Sequence, residues 1–385
     1  MKTVGIVALG KKNSGGIHQY TWSLIDALKR DQSKKYIIIC EEESEFFKDS
    51  KFEIRKIKDN TSKFYKKIII FYLYLFIIRS KFFLSKSEKN LFNDIDYFIV
   101  PTISGFPHFF LNKPFIFTLH DMQEKYYPEY FSIFRRLLRW LNNRALSTVA
   151  SKIICESQYV KSDIIKFLKV KEDKIAVITG PPPMSLINFK IDNSKIEKIK
   201  QKYDIKKKYI FYPAQTWSHK NHLRLIDAFK IILEQHDDVD LILTGSPKAN
   251  HTIIMKKIND NNLSSKIKHL GYVDYLDLPY LYKLSEFLIM PSLFESVSIP
   301  IYEAFALKVP VTCSNVVSLP EQVGNAALLF DPLDSKDMSK KIMKYLDDEN
   351  LRKKNSELGF EKIKDFNHDR YCDKLKKIID ELQYD

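Results

Sequence analysis

Short apolar runs alternate with segments of helical spacing from the first residues onward. The run TVGIVAL at residues 3–9 precedes the glycine-rich loop GKKNSGG and the segment HQYTWSLIDALKR, whose apolar residues recur at helical intervals. A strand, a glycine-rich loop and a helix in this order open a βαβ unit. The first half has further predicted strands and helices: Tyr36–Cys40, Tyr97–Val100, Phe115–Leu119 and Lys152–Cys155 as strands, and Phe131–Leu146 and Ser157–Leu168 as helices. This alternation predicts a parallel sheet with helices on both faces.

The alternation stops at residues 175–190 and then starts again. This segment contains Gly180-Pro181-Pro182-Pro183, a stiff turn that continues neither a helix nor a central strand, so we place the domain linker here. The second half has predicted strands at Tyr209–Pro213, Asp240–Thr244, Ile267–Leu270, Phe287–Met290, Val309–Cys313 and Ala327–Phe330, and predicted helices at Leu223–Glu234, Ile299–Leu307 and over the remaining C-terminal residues.

The length agrees with this division into two. The chain has 385 residues, and a single hydrophobic core rarely grows beyond about 250–300 residues. Two domains are therefore expected, at residues 1–183 and 184–364. Apolar residues make up 45% of the chain, which supplies two cores and excludes wholesale disorder.

The chain is basic, with 62 Lys and Arg residues against 48 Asp and Glu residues, a net charge of +14. Nucleic acid, an anionic membrane face or phosphorylated substrates could each explain this balance, and so could a general compositional bias. The sequence shows no RNP, helix-turn-helix or zinc-finger pattern, so a nucleic-acid partner is not expected.

The cysteines and the first residues indicate a cytoplasmic protein. The four cysteines form no CxxC pair, which suggests neither a zinc site nor a disulfide framework. The opening MKTVGIVALG lacks the long apolar region and cleavage site of a signal peptide. The most apolar run, residues 68–78, has eleven residues, and a membrane span needs roughly 20.

Two carboxylates, Glu295 and Glu303, lie eight positions apart. Glu295 is expected in a loop after a strand, and Glu303 in the first turn of the following helix. A helix N-terminus presents unpaired N–H groups that bind phosphate. A carboxylate beside it can accept from two ribose hydroxyls, so this is a layout for a nucleotide sugar. The alternative is that Glu303 complements the helix dipole and Glu295 is a solvated loop residue. The spacing alone favours that alternative.

The wider context reverses this preference. Residues 291–304 read PSLFESVSIPIYEA, which resembles the P-S-x-x-E-G-F-G-x-P-x-x-E-A pattern of the retaining family 4 glycosyltransferases (glycosyl transferases group 1). Later elements of that family are matched in order by Ser314-Asn315, Pro320-Glu321, Gly324-Asn325-Ala326-Ala327 and Phe330-Asp331-Pro332. The resemblance is specific over residues 205–335 and looser over the N-terminal half.

The resemblance implies the α/β GT-B fold, in which two Rossmann-like doubly wound domains face a central cleft. The N-terminal domain would bind the acceptor and the C-terminal domain the nucleotide-sugar donor. The last helix, residues 365–385, would cross back to the N-terminal domain.

The resemblance also implies the site residues. Glu295, His120 and Lys220 would be catalytic, with Lys220 beside the departing diphosphate and His120 near the transferred sugar. A hydrogen-bonded structural histidine is the alternative for His120, and a solvated surface lysine for Lys220. The substrate-binding residues would be Gly15, Gly16, Gln215, His219, Ser296, Val297, Ser298, Ile299 and Glu303.

Two positions depart from the family pattern. Ser296-Val297-Ser298 replaces Gly-Phe-Gly, which narrows the space for the donor sugar and leaves its identity open. His219 stands where an arginine is common. Gly15 and Gly16 match a Gly-Gly loop whose N–H groups would face the donor diphosphate.

The implied activity is transfer of a sugar from a nucleotide-diphosphate sugar to a glycan or polyprenyl-diphosphate-linked acceptor, with retention and with neither a cofactor nor a metal. The setting would be bacterial O-antigen, capsule or lipopolysaccharide synthesis. Asp94-Ile95-Asp96 fits a metal-binding DxD pattern but precedes a strand, so we interpret it as surface. The alternatives are a catalytically silent nucleotide-sugar-binding subunit and a basic nucleic-acid-binding protein.

Residues 63–86 have a second interpretation besides a buried helix. Lys66, Lys67, Arg79 and Lys81 flank an apolar centre, which suits contact with an anionic membrane surface. This segment is therefore predicted to dock the enzyme on the inner face of the plasma membrane.

Overall fold

The computed structural model describes residues 1–8, 16–41, 45–56, 75–78, 90–182, 184–187, 189–364 and 366–382. The chain divides into two compact units. Unit 1 comprises Met1–Gly180 and His368–Asp385, and unit 2 comprises Pro181–Asn367.

Unit 1 contains a parallel sheet, to which the described residues contribute seven strands in the order β3-β2-β1-β4-β5-β6-β7. The strands are β1 (Thr3–Val7), β2 (Lys35–Cys40), β3 (Glu53–Lys56), β4 (Tyr97–Val100), β5 (Phe115–Thr118), β6 (Lys152–Cys155) and β7 (Ile175–Val177). The helices of its first part are α1 (Gly16–Leu28), α2 (Glu45–Asp49), α3 (Phe106–Leu111), α4 (Ile133–Val149) and α5 (Gln158–Asp163), which continues as a π-helical turn at Ile164–Leu168.

Two apolar cores cover the two faces of this sheet. Successive strand residues point to opposite faces, and Ile37 and Ile39 accordingly lie in one core while Tyr36 and Ile38 lie in the other. The second core includes the C-terminal helix of the chain, which packs against α1. The predicted sheet with helices on both faces is confirmed.

The strands β3 and β7 were not predicted. The sequence interpretation placed Ile175 in the interdomain segment, which is wrong, because Ile175–Val177 pairs in parallel with β6. Both strands lie at sheet edges and have four and three residues. β3 has the sequence EIRK, with one apolar residue, so it gives no clear periodic signal. β7 is apolar but ends three residues before Gly180, where the proline-rich turn begins.

Unit 2 contains a second parallel sheet, in the order β10-β9-β8-β11-β12-β13. The strands are β8 (Lys208–Pro213), β9 (Val239–Thr244), β10 (Ile267–His269), β11 (Phe287–Met290), β12 (Val311–Ser314) and β13 (Ala327–Phe330). The helices are α6 (Met184–Ile187), α7 (Asn193–Lys202), α8 (His222–Ile232), α9 (His251–Asp260), α10 (Leu278–Lys283), α11 (Ile299–Ala306), α12 (Leu319–Val323), α13 (Ser335–Asp347) and α14 (Glu349–Lys364); the final helix, α15 (His368–Glu381), belongs to unit 1.

The strand predicted at Val309–Cys313 begins two residues later, at Val311. Pro310 precedes it and has no N–H to donate. Its carbonyl oxygen nevertheless accepts from the Leu288 N–H at 2.9 Å, so β11 is already aligned with the chain before β12 begins.

None of the helices formed by the described residues is long and apolar enough to cross a membrane. The predicted membrane-docking segment, residues 63–86, lies outside the described residues apart from 75–78.

Candidate active site

The site in unit 2 lies where the direction of the sheet connections reverses. Strands β8 and β11 are neighbours, with Phe287 beside Ile210 and Leu288 beside Phe211. The chain leaves β8 toward β9 on one side and leaves β11 toward β12 on the other. The loops after such strands diverge and leave a crevice at their carboxyl ends, which is where open α/β sheets bind ligands.

Lys220 and Glu295 meet at this point. The Lys220 Nζ donates to Glu295 Oε1, and the Ser292 hydroxyl donates to the same oxygen at 2.7 Å. The side chain of Glu295 is 10% exposed and that of Lys220 is 19% exposed. The pair therefore lies at the edge of the crevice, largely shielded from water, rather than on open surface.

The backbone also joins the two loops that carry this pair. The Leu293 N–H donates to the His219 carbonyl at 2.8 Å. Asn221 donates through Nδ2 to the carbonyls of Pro291 at 2.9 Å and Pro332 at 2.8 Å. These bonds set the position of the 3₁₀ turn Ser218–Lys220 relative to the loop after β11.

Asn221 has a backbone conformation that suits its residue type. Its φ is 60°, in the left-handed region, where asparagine is among the more tolerated non-glycine residues. It ends the 3₁₀ turn and precedes α8, so Lys220 is presented just before a helix. The sequence shows that Asn221 follows Lys220. It does not indicate that Asn221 holds the two loops together.

The loop before α11 is held by a side chain that sequence reasoning missed. Ser298 is extended, with φ −101° and ψ 103°, and directly precedes the helix. Its N–H donates to Gln322 Oε1 at 2.9 Å, and Gln322 Nε2 donates to its carbonyl at 2.7 Å. Both residues are buried. One glutamine therefore bonds both backbone groups of Ser298, whose carbonyl also accepts from the Ile301 N–H at 3.2 Å. No local sequence signal indicates the pairing of Ser298 with Gln322.

The Ser298 hydroxyl is buried and has no hydrogen-bond partner within the described part of the chain. Its side chain does not cap α11. An unsatisfied buried hydroxyl costs free energy, and this one lies beside the helix N-terminus.

The sequence interpretation placed Glu303 in the first turn of the helix, which is wrong. Helix α11 begins at Ile299, so Glu303 is its fifth residue and lies in the second turn. Its Oε2 accepts from the Tyr282 hydroxyl at 2.7 Å, and both side chains are buried. Burial and the adjacent Glu303 carboxylate raise the pKa of Tyr282 well above its usual value. The position of Glu303 is therefore set by α10, and its contact with a ribose stays a prediction.

The other predicted residues of unit 2 lie on the same loops. Gln215 follows β8, and its Oε1 accepts from the Trp217 indole N–H at 3.0 Å. Ser296 and Val297 are half-buried in the loop after β11, and Ile299 is the first residue of α11. These residues lie at the crevice because they are close in sequence to Lys220 or Glu295.

His120 lies in unit 1, after β5, and is held by two acceptors. Nδ1 contacts the Glu156 carboxylate at 2.8 Å, and Nε2 contacts the Pro101 carbonyl at 2.8 Å. Neither acceptor can donate, so both contacts are hydrogen bonds only when both ring nitrogens carry protons. Burial acts to lower the pKa of His120, but the hydrogen bond and charge of Glu156 outweigh it, and the pKa is raised.

Glu156 was not among the predicted residues. It follows β6 directly, and β6 pairs in parallel with β5, so Glu156 and His120 lie at the same edge of the sheet. The contacts of His120 match the structural alternative stated above, and its catalytic role stays a prediction. Gly15 lies outside the described residues, and Gly16 is the exposed first residue of α1.

The two carboxylates of the DxD-like segment 94–96 accept hydrogen bonds from other residues of unit 1. Asp94 accepts from the two terminal nitrogens of the Arg55 guanidinium, at 2.6 and 2.8 Å, and Asp96 accepts from the Thr3 N–H at 2.8 Å. Within the described ranges, no group of three or more His, Cys, Asp or Glu side chains is arranged to hold a metal ion.

Two family profiles match the two halves of the chain. The profile described as glycosyl transferases group 1 matches residues 195–362, and that described as glycosyltransferase family 4 matches residues 14–181. The O-antigen chain mannosyltransferase B of Escherichia coli is 31% identical over 252 residues, which span 65% of this chain and 65% of that protein. The O-antigen chain mannosyltransferase RfbU of Salmonella typhimurium is 25% identical over 340 residues, 86% of this chain and 87% of that protein.

Solved structures share the fold. Anabaena Alr3699/HepE, in complex with UDP and glucose, superposes with a TM-score of 0.78 at 17% identity over 99% of this chain and 100% of that one. WaaG, a glycosyltransferase involved in lipopolysaccharide biosynthesis, superposes with a TM-score of 0.73 at 13% identity over 98% of this chain and 99% of that one. Two parallel-sheet α/β units, matched in turn by the two profiles, show that the chain belongs to the glycosyltransferases of group 1 and family 4 and has the GT-B fold.

Proposed function

We propose that the chain transfers a hexosyl group from a nucleotide-diphosphate sugar to a glycan or polyprenyl-diphosphate-linked acceptor, with retention at the anomeric carbon. The observation that carries this proposal is the Lys220–Glu295 pair at the carboxyl ends of β8 and β11. The names of the relatives support a role in bacterial surface polysaccharide synthesis.

The proposed site residues match the charges that develop in this reaction. The bond between the anomeric carbon and the diphosphate breaks, and negative charge grows on the departing diphosphate. Lys220 supplies a fixed cation, and the helix dipole supplies a second positive region at the start of α11. The Ser298 hydroxyl beside this region has no internal partner among the described residues and can donate to a phosphate oxygen.

We propose that the reaction needs no metal, because Lys220 and the α11 N-terminus already provide positive charge at the diphosphate. The occupied carboxylates of Asp94 and Asp96 support this proposal. Turnover that is unchanged by EDTA, with or without added Mn²⁺ or Mg²⁺, is the expected result. Activity that is lost in EDTA and restored by one of these ions would contradict it.

The sugar proposed first is mannose, because both relatives described above are named mannosyltransferases. The donor is tested by calorimetry and thermal shift with GDP-mannose and with UDP-, TDP- and CMP-sugars. Wild type, Glu303→Ala and Lys220→Ala are compared. Saturable binding of one nucleotide family that weakens in Glu303→Ala, and much less in Lys220→Ala, supports the donor site and identifies the base. A folded protein that binds none of them overturns the proposal.

Measured turnover distinguishes the proposed transferase from a catalytically silent nucleotide-sugar-binding subunit. Ser296-Val297-Ser298, in place of the glycine-rich family pattern, is the feature that favours it. A chain that binds a donor but neither transfers nor hydrolyses the sugar, in the presence of membrane extracts containing acceptor lipids, would be such a subunit. The anomeric configuration of the product, read by NMR, tests retention.

A further inference from the structure

A cavity of about 500 Å³, called here the β6–β7 cavity, lies at the amino ends of β6 and β7 in unit 1. Lys152 is the first residue of β6 and Lys174 directly precedes β7, and both line the cavity together with Ser147 and Thr148 near the end of α4. The strands β5, β6 and β7 are parallel, so they begin at one edge of the sheet and end at the other. His120 follows the end of β5, so the cavity lies at the opposite edge of the sheet from it.

The lining of the β6–β7 cavity is basic. It contains four lysines, Lys152, Lys169, Lys171 and Lys174, and one acidic residue, Asp173. The side chains of Lys169 and Lys171 are exposed and take part in no ion pair within the ranges that the structure describes. Because these two charges are not compensated from within, the cavity attracts anions.

The other two lysines of the lining are held in place. Lys174 donates to two carbonyl groups in the last turn of α4, at 2.8 and 3.0 Å, where a cation offsets the negative end of the helix dipole. Lys152 pairs with Glu381 at 3.1 Å. Burial lowers the pKa of Lys174, and an anion bound beside the ammonium group would oppose this effect. Lys169 and Lys171 are therefore the lysines that can turn to a ligand.

A buried hydroxyl in the lining lacks a partner. Ser147 is 3% exposed, and its side-chain oxygen has no hydrogen-bond partner among the described residues. One turn earlier on α4, Asn143 is fully buried, and neither its amide oxygen nor its amide nitrogen has a partner in the described part of the chain. Residues i and i+4 of a helix lie on the same face. Buried polar groups are nearly always hydrogen-bonded, so the unpaired Ser147 hydroxyl indicates a polar ligand in the cavity.

An irregular helix end places Lys169 at the cavity. Helix α5 continues as the π-helical turn Ile164–Leu168, and Lys169 ends this turn with φ 57° and ψ 36°. Few residues other than glycine adopt this left-handed conformation, and π-helical turns are frequent at functional sites. Leu168 and Val170, on either side of the lysine, add an apolar part to the lining. Small-molecule sites combine such apolar contacts with a few polar groups, in volumes of about 300–1,000 Å³.

We propose that the β6–β7 cavity binds a small organic phosphate, such as a sugar phosphate. Lys169 and Lys171 contact the phosphate group, because ammonium groups bind phosphate as point charges. The Ser147 hydroxyl donates to a ligand oxygen, and Leu168 and Val170 contact its carbon skeleton. The cavity is larger than a phosphate ion fills, which favours an organic phosphate over phosphate alone. The proposal goes beyond the proposed transferase activity and does not depend on the donor site.

Calorimetry with glucose 1-phosphate tests the proposal on the full chain. Saturable binding is expected for wild type, and Lys169→Gln/Lys171→Gln should weaken it about tenfold because two exposed cations are lost. The matched control is Lys353→Gln/Lys354→Gln, which removes the same charge from exposed positions of α14 in unit 2. No saturable binding by wild type overturns the proposal. Equal weakening by both pairs shows net-charge attraction only and also overturns it.

Ser147→Ala tests the buried hydroxyl. Thermal unfolding of the unbound variant should occur at the wild-type temperature or above it, because an unpaired buried hydroxyl is removed and alanine favours the helix. Its affinity for glucose 1-phosphate should nevertheless fall about tenfold, since a hydrogen bond to the ligand is lost. A folded variant that binds with unchanged affinity overturns the proposal.

Two further measurements distinguish the β6–β7 cavity from other phosphate-binding surfaces. If the affinity for glucose 1-phosphate falls in Lys220→Ala but not in Lys169→Gln/Lys171→Gln, the ligand occupies the donor site and the proposal is overturned. If the chain binds phosphatidylglycerol–phosphatidylcholine vesicles but not glucose 1-phosphate, the phosphate comes from a lipid headgroup and the proposal is again overturned. Donor binding is measured in the same variants, so failure of the cavity proposal is distinguishable from failure of the proposed transferase.

Discussion

Lys220 donates to the Glu295 carboxylate across two loops that are 75 residues apart in sequence. The loops follow adjacent strands, β8 and β11, at the reversal point of the sheet. Glu295 also accepts from Ser292, so the carboxylate is held from its own loop as well. The pair supplies one cation and one anion at fixed positions, and the proposed transfer would use the cation to stabilise the departing diphosphate.

Replacement of Lys220 by alanine is expected to lower kcat by about 10²–10³, the range seen when one fixed stabiliser of transition-state charge is removed. The donor KM should change much less, because the loss arises mainly as the diphosphate departs. Lys230→Ala, an exposed position of α8, is the control and should retain full activity. If kcat of Lys220→Ala falls by less than threefold, the lysine has a structural role.

Gln322→Ala is expected to weaken donor binding and to lower the free energy of unfolding by about 1–3 kcal/mol, since the buried Ser298 N–H loses its partner and the Ser298 carbonyl keeps only the Ile301 N–H. The expected kinetic effect is a raised donor KM, because Ser298 precedes the proposed phosphate-binding helix. Gln322→Glu keeps the acceptor but loses the amide donor, and should show an intermediate effect. The exposed Gln235→Ala is the control; a variant that loses stability at an unchanged KM would argue against a positioning role.

The His120–Glu156 pair predicts a specific pH dependence. The folded-state pKa of His120 is raised, so the stabilisation is fully present below the unfolded value of about 6.5 and is lost as pH rises through the folded pKa. The stability difference between wild type and His120→Gln should therefore be larger at pH 6 than at pH 9. Chemical unfolding at both values measures it, and Glu156→Gln should remove the pH dependence. A difference that is constant with pH would contradict the paired imidazolium.

Gly245 and Gly271 allow the loss of stability caused by an added side chain to be compared at two positions. Both have positive φ, 125° and 69°. A Cβ at Gly245 would lie 2.6 Å from the Ala214 carbonyl group, whereas one at Gly271 would meet nothing within 4 Å. Gly271→Ala should lower the free energy of unfolding by about 1–2 kcal/mol, because alanine is strained in the left-handed backbone conformation. Gly245→Ala should cost more and should disturb the loop after β8, as measured by unfolding and by donor affinity. Equal costs would contradict the close approach.

The central strands were predictable because they are buried on both faces. Tyr97–Val100, Lys152–Cys155 and Phe287–Met290 were predicted with the bounds that the structure shows. The half-buried edge strand Ala327–Phe330 was also predicted with its observed bounds, because all four of its residues are apolar. A strand covered by helices on both sides reads as a continuous apolar run that ends where the chain reaches the surface. The edge strand β3, with the sequence EIRK, lacks such a run and was missed. The edge strand β7 is apolar but was assigned to the linker, because the Gly180-Pro181-Pro182-Pro183 turn follows it closely.

By itself, the sequence determined the two α/β domains, the family and the loops on which Lys220, Glu295 and Ser298 lie, because periodicity and motif spacing are local properties of the chain. Only the tertiary structure showed that Gln322 holds Ser298, that Tyr282 donates to Glu303 and that Glu156 pairs with His120. These partners come from different elements, 21 to 36 residues apart. They meet because sheet order and helix packing bring those elements together, and a linear pattern does not record which buried polar groups will satisfy one another.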